Sequence, residues 1–77
     1  MTVLHRFMKA GHVAEIRERA VTQFRAIEFL IYVDGSLLVS QLFHSGREVE
    51  YLAVIATRIN ELIDDGWSEE RVNLLPA

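Results

Sequence analysis

The stretch 26–43 constrains the fold of this chain more than any other part of it. It consists of two apolar segments on either side of Asp34-Gly35, a dipeptide that tolerates the positive φ angles of a tight type I′ turn. It therefore predicts a β-hairpin in which Val33 faces Ser36 and the pairing continues outward without interruption. One face of this hairpin then carries Ile27, Phe29, Ile31, Leu38 and Leu42. The other face carries Ala26, Leu30, Tyr32, Leu37, Val39 and Phe43, with a Glu28–Gln41 pair among them.

Both faces of this predicted hairpin are apolar, whereas a hairpin with one side in water alternates apolar and polar residues. The hairpin therefore needs cover on both sides. We expect the helix that follows to cover the first face and a second copy of the chain to cover the other. The predicted oligomer interface consists of Leu30, Tyr32, Leu37, Val39 and Phe43. These side chains would expose several hundred Å² on a monomer, which is as large as the apolar patches that soluble monomers usually show. The amino-terminal segment is the alternative cover.

The length and the residue usage favour a small, self-associating protein. The 77 residues form one domain, 1–77, and a chain of this size buries only roughly 60–65% of its unfolded surface. No cysteine is present to form disulfides, and oligomerisation is another common way to stabilise a small core. The lack of cysteine and of an apolar leader predicts a cytoplasmic location. The small core predicts a homodimer or larger even oligomer. No apolar run approaches the roughly 20 residues that span a bilayer, so no membrane partner is expected.

The charge argues against a nucleic-acid partner, since the formal net charge is −3. The charges are unevenly placed: residues 1–25 hold five basic and two acidic residues, and residues 26–77 hold three basic and nine acidic ones. Such asymmetry could steer a charged partner, or the two charged surfaces could simply be solvated. Another protein remains a possible partner.

The amino-terminal third fits two structures. A two-residue turn at Ala10-Gly11 would place Arg6 opposite Glu15, which is a favourable cross-strand pair, and would put Val3, Phe7, Ala14 and Ile16 on one face. Residues 12–23 also fit a helical stripe. We favour strands because three or four are needed to support the central hairpin. The predicted fold is therefore α+β, a small antiparallel β-meander of three to four strands with one long C-terminal helix packed on one face.

The helix has clear start and stop signals. Ser45-Gly-Arg-Glu48 predicts a capping box, and Gly66 predicts a left-handed end that folds Trp67 back onto Leu62. Its apolar stripe predicts that Leu52, Ile59 and Ile63 cover the hairpin. In the tail that follows, Val72, Leu74 and Leu75 predict a docked end.

Three short segments carry a resemblance to a known group of proteins. They are Val33-Asp-Gly-Ser36, Phe43-His-Ser-Gly46 and Asp65-Gly-Trp67. In this order the chain resembles small uncharacterised bacterial proteins built from a hairpin and a helix, including those of mobile gene cassettes (integrons). The matching positions are turn, cap and core residues, so the resemblance implies a fold and no activity.

Few residues carry a chemical signature. His5 and His12 would lie about 13 Å apart in a hairpin or about 10 Å apart in a helix, too far to share a zinc ion with Zn–N bonds of about 2 Å. No metal or cofactor is therefore predicted, although His44 with carboxylates could form a site. Serines and histidines are present, but no nucleophile elbow or phosphate-binding loop accompanies them, so an enzyme is the less favoured class.

The residues His44, Ser45 and Arg47 surround the predicted helix start, where free amides favour anions. They form a candidate phosphate or carboxylate site, in competition with Glu48 as the cap. The sequence thus predicts a small oligomeric interaction module. The alternative is a small-ligand or anion-binding protein that uses this helix start and a groove at the subunit boundary.

Overall fold

The computed structural model describes residues 1–70 and has an α+β fold, as predicted. The elements in chain order are β1 (Thr2–Lys9), β2 (His12–Val21), a 3-10 turn (Thr22–Phe24), β3 (Ala26–Val33), β4 (Ser36–His44), α1 (Glu48–Asp64) and β5 (Ser68–Glu70). Strands β1 to β4 form the predicted antiparallel meander. The sheet has five strands in the order β4-β3-β2-β1-β5, so the prediction of three to four strands was too low.

The additional strand, β5, is short and polar. It pairs with β1, where the Glu69 carboxylate hydrogen-bonds the Nδ1 atom of His5 and Glu70 lies 3.8 Å from Arg6. Since Ser68-Glu-Glu contains no apolar residue, no alternating pattern could predict it. The predicted docked end formed by Val72, Leu74 and Leu75 lies outside the described residues.

Both two-residue turns are confirmed. The φ angles are +49° and +81° at Ala10-Gly11 and +49° and +82° at Asp34-Gly35, as a type I′ turn requires. The strand prediction for the first hairpin is confirmed with them, because residues 12–18 pair with β1 and residues 14–21 pair with β3, so this segment is a strand and not a helix.

The Asp34 carboxylate joins the two turns. Its Oδ1 accepts a hydrogen bond of 2.9 Å from the Val13 amide, and its Oδ2 lies 2.7 Å from the Nδ1 atom of His12. The Val13 amide, followed by His12, holds the pKa of Asp34 below its usual range.

A β-bulge in β4 changes the predicted faces of the second hairpin. Tyr32 pairs with Leu37 and Ile31 pairs with Val39, which leaves Leu38 as an extra residue. Beyond the bulge every residue of β4 is shifted by one position relative to the predicted register. The predicted face assignment of residues 38–43 was therefore wrong, because one inserted residue exchanges the two faces.

The core lies between α1 and one face of the sheet. Its buried residues are Phe7, Ala14, Ile16, Phe29, Ile31, Phe43 and Tyr51. Helix residues Ile55, Ile59 and Leu62 pack against them. Of the three helix residues predicted to cover the hairpin, only Ile59 does so, since Leu52 is 63% and Ile63 50% exposed. Tyr51 lies on the buried side of the helix. Leu52 and Ile63 lie roughly 100° around the helix axis from it and therefore face solvent.

The helix ends as predicted and begins differently. Gly66 and Trp67 donate backbone hydrogen bonds of 3.0 Å to Ile63 and Leu62, which is a Schellman motif. At the other end the helix starts at Glu48, so the predicted capping box with Ser45 was wrong. Gly46 takes a φ of +93°, and its amide donates a 3.1 Å hydrogen bond to the Glu48 carboxylate.

Candidate functional site

The five residues of the predicted oligomer interface do not share a surface. Leu30 and Tyr32 of β3 and Leu37 of β4 lie on the face of the sheet opposite the helix, which we call the open face. Val39 and Phe43 lie on the other face, where Phe43 is buried in the core and Val39 packs against it. The bulge at Leu38 causes this division.

The open face is covered by charged side chains rather than left apolar. The Glu15 carboxylate accepts hydrogen bonds from Arg6, at 2.9 Å, and from Arg17, whose guanidinium lies 4.1 Å from the centre of the Tyr32 ring. Leu30 is buried between Arg17 on one side and Ser40 on the other. Of the three predicted interface residues on this face, Leu30 is buried, Tyr32 is half-buried and Leu37 is exposed, so the apolar patch is much smaller than predicted.

A second charged group continues this cover. The Glu28 carboxylate accepts a 2.8 Å hydrogen bond from the Ser40 hydroxyl and also binds Arg19. The Ser40 hydroxyl and then Arg19 hold the pKa of Glu28 low, and Arg17 and then Arg6 do the same for the pKa of Glu15. Glu15, Arg17 and Arg19 of β2 all lie on the open face. The prediction of the interface considered only the residues of the second hairpin and so missed them.

The outer edge of β4 is the more open interaction surface. Among residues 1–70, β4 lies at one end of the sheet and pairs only with β3. Residues 36–43 include no charged residue, proline or glycine, and Leu37, Leu38 and Leu42 are 50%, 66% and 43% exposed. Natural proteins usually protect a sheet edge by shortness, charge or proline. The opposite edge strand, β5, is three residues long and holds two glutamates. Of the two sheet edges formed by residues 1–70, the β4 edge is thus the one that combines length with exposed leucines.

A groove between α1 and β4 lies beside this edge. It has a volume of about 490 Å³, and Leu38, Val39, Leu62 and Trp67 line it. Arg58 lies in the same groove and bonds Glu61 at 3.2 Å. The exposed outer side of the helix, which we call the helix flank, consists of Val49, Leu52 and Ile63 and forms a separate apolar surface.

A cavity of about 390 Å³ lies where β2 ends, β3 begins and β4 ends. We call it the sheet-end cavity. It brings together all three residues of the predicted anion site, namely His44, Ser45 and Arg47. Arg25 also lines it and was missed, because its position depends on the 3-10 turn and on its own left-handed φ of +47°, which periodicity does not predict.

The inner part of the sheet-end cavity is apolar and held in place by contacts within the core. Ile27, Phe43 and Tyr51 contribute to its lining, and the Phe43 and Tyr51 rings lie 5.3 Å apart. The Tyr51 hydroxyl donates a hydrogen bond to Glu18 of β2. Burial and, after it, the Glu18 carboxylate raise the pKa of Tyr51, so this hydroxyl stays neutral.

The rim of the sheet-end cavity is polar, and the Glu48 carboxylate on it already has hydrogen-bond partners. The helix-start amides of Glu48 itself and of Gly46 hold the pKa of Glu48 below its usual range. Arg47 bonds Glu50 at 2.6 Å. Arg25 forms no ion pair with any residue from 1 to 70, so its guanidinium is the uncommitted charge at this site.

The described residues offer few other sites. Between residues 1 and 70 no three histidine or acidic side chains come together in a way that could hold a metal ion. His5 and His12 each pair with a carboxylate, but no serine hydroxyl in this range hydrogen-bonds a histidine. None of the helices in this part of the chain is long and apolar enough to cross a membrane. No family model, curated protein or solved structure matches the chain.

Proposed function

We propose that this protein is a small self-associating interaction module whose β4 edge pairs with β4 of a second copy. The observation that supports this most directly is the combination in β4 of an edge position, exposed leucines and no charged residue between positions 36 and 43. Antiparallel pairing of the two edges would join two five-stranded sheets into one. A cytoplasmic location, expected for a chain without cysteine, is part of this proposal.

A second copy is the partner that the edge fits most simply. Two identical antiparallel strands can pair about a two-fold axis, and two-fold dimers are by far the commonest closed assemblies of identical chains. The bulge at Leu38 interrupts the edge, so we expect pairing within the regular stretch 39–44.

The expected affinity is moderate. Complete burial of a leucine side chain contributes about 1.5–3 kcal/mol. Leu42 within the pairing stretch and Leu37 and Leu38 beside it are each about half-exposed and together contribute at most about 3 kcal/mol per protomer. About six interstrand hydrogen bonds would add about 1 kcal/mol each. Association itself costs on the order of 4–15 kcal/mol. Even at the lowest association cost the balance is about 8 kcal/mol, so we expect a dissociation constant no tighter than about micromolar.

Sedimentation velocity on two matched lysine variants tests the proposal. In Leu42→Lys, the new ammonium lies directly opposite Glu28 within the same chain, which favours the folded protomer, but it places a charge on the pairing edge. In Leu52→Lys, the same replacement is made on the helix flank. We expect the parent and Leu52→Lys to dimerise at high micromolar concentration and Leu42→Lys to sediment as a folded monomer, with circular dichroism as the check on folding.

Three results would contradict this proposal. A monomeric parent at high micromolar concentration would remove the need for any self-association surface. A dimer that survives Leu42→Lys and is lost in Leu52→Lys would assign the interface to the helix flank. Equal loss of the dimer in Leu42→Lys and Leu52→Lys would show that the β4 edge alone does not form the interface.

A further inference from the structure

We propose that the sheet-end cavity is a binding site for a small carboxylic acid with an apolar body. The acid would place its apolar part against Phe43 and Tyr51 and its carboxylate on Arg25. This site does not depend on the pairing of β4 with a second copy.

The size and the inner surface of the cavity support an apolar ligand body. Its volume of about 390 Å³ falls within the roughly 300–1,000 Å³ of typical small-molecule sites. Ile27, Phe43 and Tyr51 give it an apolar interior, and the Tyr51 hydroxyl is already bonded to Glu18. A ligand body placed against the Tyr51 ring therefore leaves the hydrogen bond of its hydroxyl in place.

The charges around the cavity support an anionic head group. Two arginines and one glutamate line it, which leaves a formal charge of +1 in a chain whose net charge is −3. Arg47 bonds Glu50, whereas Arg25 has no ion-pair partner among residues 1–70. A guanidinium binds a carboxylate through two parallel hydrogen bonds, and His44 and Ser45 offer further hydrogen-bonding groups beside it.

The arrangement favours a monoanionic carboxylate over a phosphate. The amides at the helix start do not provide the anchor, because Glu48 already accepts a hydrogen bond from the Gly46 amide. A phosphate dianion would meet one uncommitted arginine and the nearby Glu48 carboxylate. A single negative charge on an apolar body matches both parts of the cavity.

Titration of the ¹⁵N-labelled protein with three probes, followed by amide chemical shifts, tests this inference. The probes are phenylacetate, its neutral analogue phenylacetamide and inorganic phosphate. We expect saturable shifts with phenylacetate at residues 22–27 and 43–51. Phenylacetamide should bind at least about tenfold more weakly, since it lacks the charge that strengthens the hydrogen bonds to Arg25. Phosphate should give no saturable shift there.

Two arginine variants identify the anchor. Arg25→Gln keeps a polar side chain but removes the charge and should weaken phenylacetate binding about tenfold. Arg25→Lys, which keeps the charge but not the two-pronged geometry, should be intermediate. Arg58→Gln, in the groove between α1 and β4, is the matched control and should bind as the parent does. Three results with phenylacetate would overturn the inference: no saturable binding, unchanged binding in Arg25→Gln, or binding weakened as much in Arg58→Gln as in Arg25→Gln. Binding of phenylacetamide or phosphate at this site as tight as that of phenylacetate would also overturn it.

Discussion

The hydrogen bond from Tyr51 to Glu18 is the side-chain link that ties the start of the helix to the middle of the sheet, and Tyr51→Phe removes it with the least disturbance. The phenyl ring remains in place against Phe43, so the packing of the core is retained. Glu18 loses a donor but is half-buried, and water can reach it in place of the hydroxyl. The free energy of unfolding should therefore fall by a hydrogen bond's contribution and not by that of a cavity.

The expected loss is about 1.5 kcal/mol, at the lower end of the range for hydrogen bonds to charged groups because Glu18 is only half-buried. For a domain of this size that loss lowers Tm by about 6–12 °C. Denaturant or thermal unfolding measures it, with all variants at one protein concentration because self-association would shift the apparent stability. Tyr32→Phe is the matched control, since the Tyr32 hydroxyl hydrogen-bonds no residue from 1 to 70.

A double-mutant cycle with Glu18→Ala separates the hydrogen bond from other effects. The coupling between the two positions should be about 1 kcal/mol or more. The assignment of this bond as a stabilising link would be refuted if the unfolding free energy of Tyr51→Phe lay within about 0.5 kcal/mol of the parent value. An equal loss of stability in Tyr32→Phe, or a coupling energy near zero, would refute it as well.

Three further predictions concern the turns and the helix start. Ser45→Ala should leave the denaturant midpoint unchanged because Ser45 is not the helix cap, whereas Glu48→Ala should lower stability by about 1 kcal/mol. A larger loss of stability in Ser45→Ala than in Glu48→Ala would support the capping box instead. Gly35→Val should destabilise strongly in the same assay, because a β-branched residue is strained at φ +82°, and a variant as stable as the parent would contradict the type I′ turn. The low pKa of Asp34 stabilises the fold above the unfolded-state pKa near 3.8, and this stability is lost as pH falls through the lower folded-state pKa. Asp34→Asn should therefore be less stable than the parent at neutral pH and approach it in acid, and a difference that does not change with pH would contradict the role of the charge.

The turns and the helix end could be predicted because each depends on a local signal. Asp34-Gly35 and Gly11 permit the positive φ angles of the two turns, and Gly66 does so at the end of the helix. The bulge could not be predicted. Both faces of Leu37-Leu38-Val39 are apolar, so the hydrophobic pattern does not distinguish one register from the next.

The covering of the open face depends on a contact across strands that the sequence shows only in part. Glu15, Arg17 and Arg19 alternate along β2, but their effect on Leu30 appears only when β2 is placed beside β3. The lining of the sheet-end cavity could likewise be predicted from the sequence only in part. Its residues at 44–47 are adjacent in sequence, whereas Arg25 joins them through the backbone pairing that holds the Ser45 amide on the Arg25 carbonyl, at 3.0 Å.

The most direct test of the proposed pairing is an isotope-filtered nuclear Overhauser experiment on a mixture of labelled and unlabelled protein. Only contacts between protomers give signals in such a sample. The proposal predicts interprotomer signals among residues 39–44, including Leu42, with none at the helix flank. Signals at Val49, Leu52 or Ile63 without any from β4, or no interprotomer signal at a concentration well above micromolar, would contradict it.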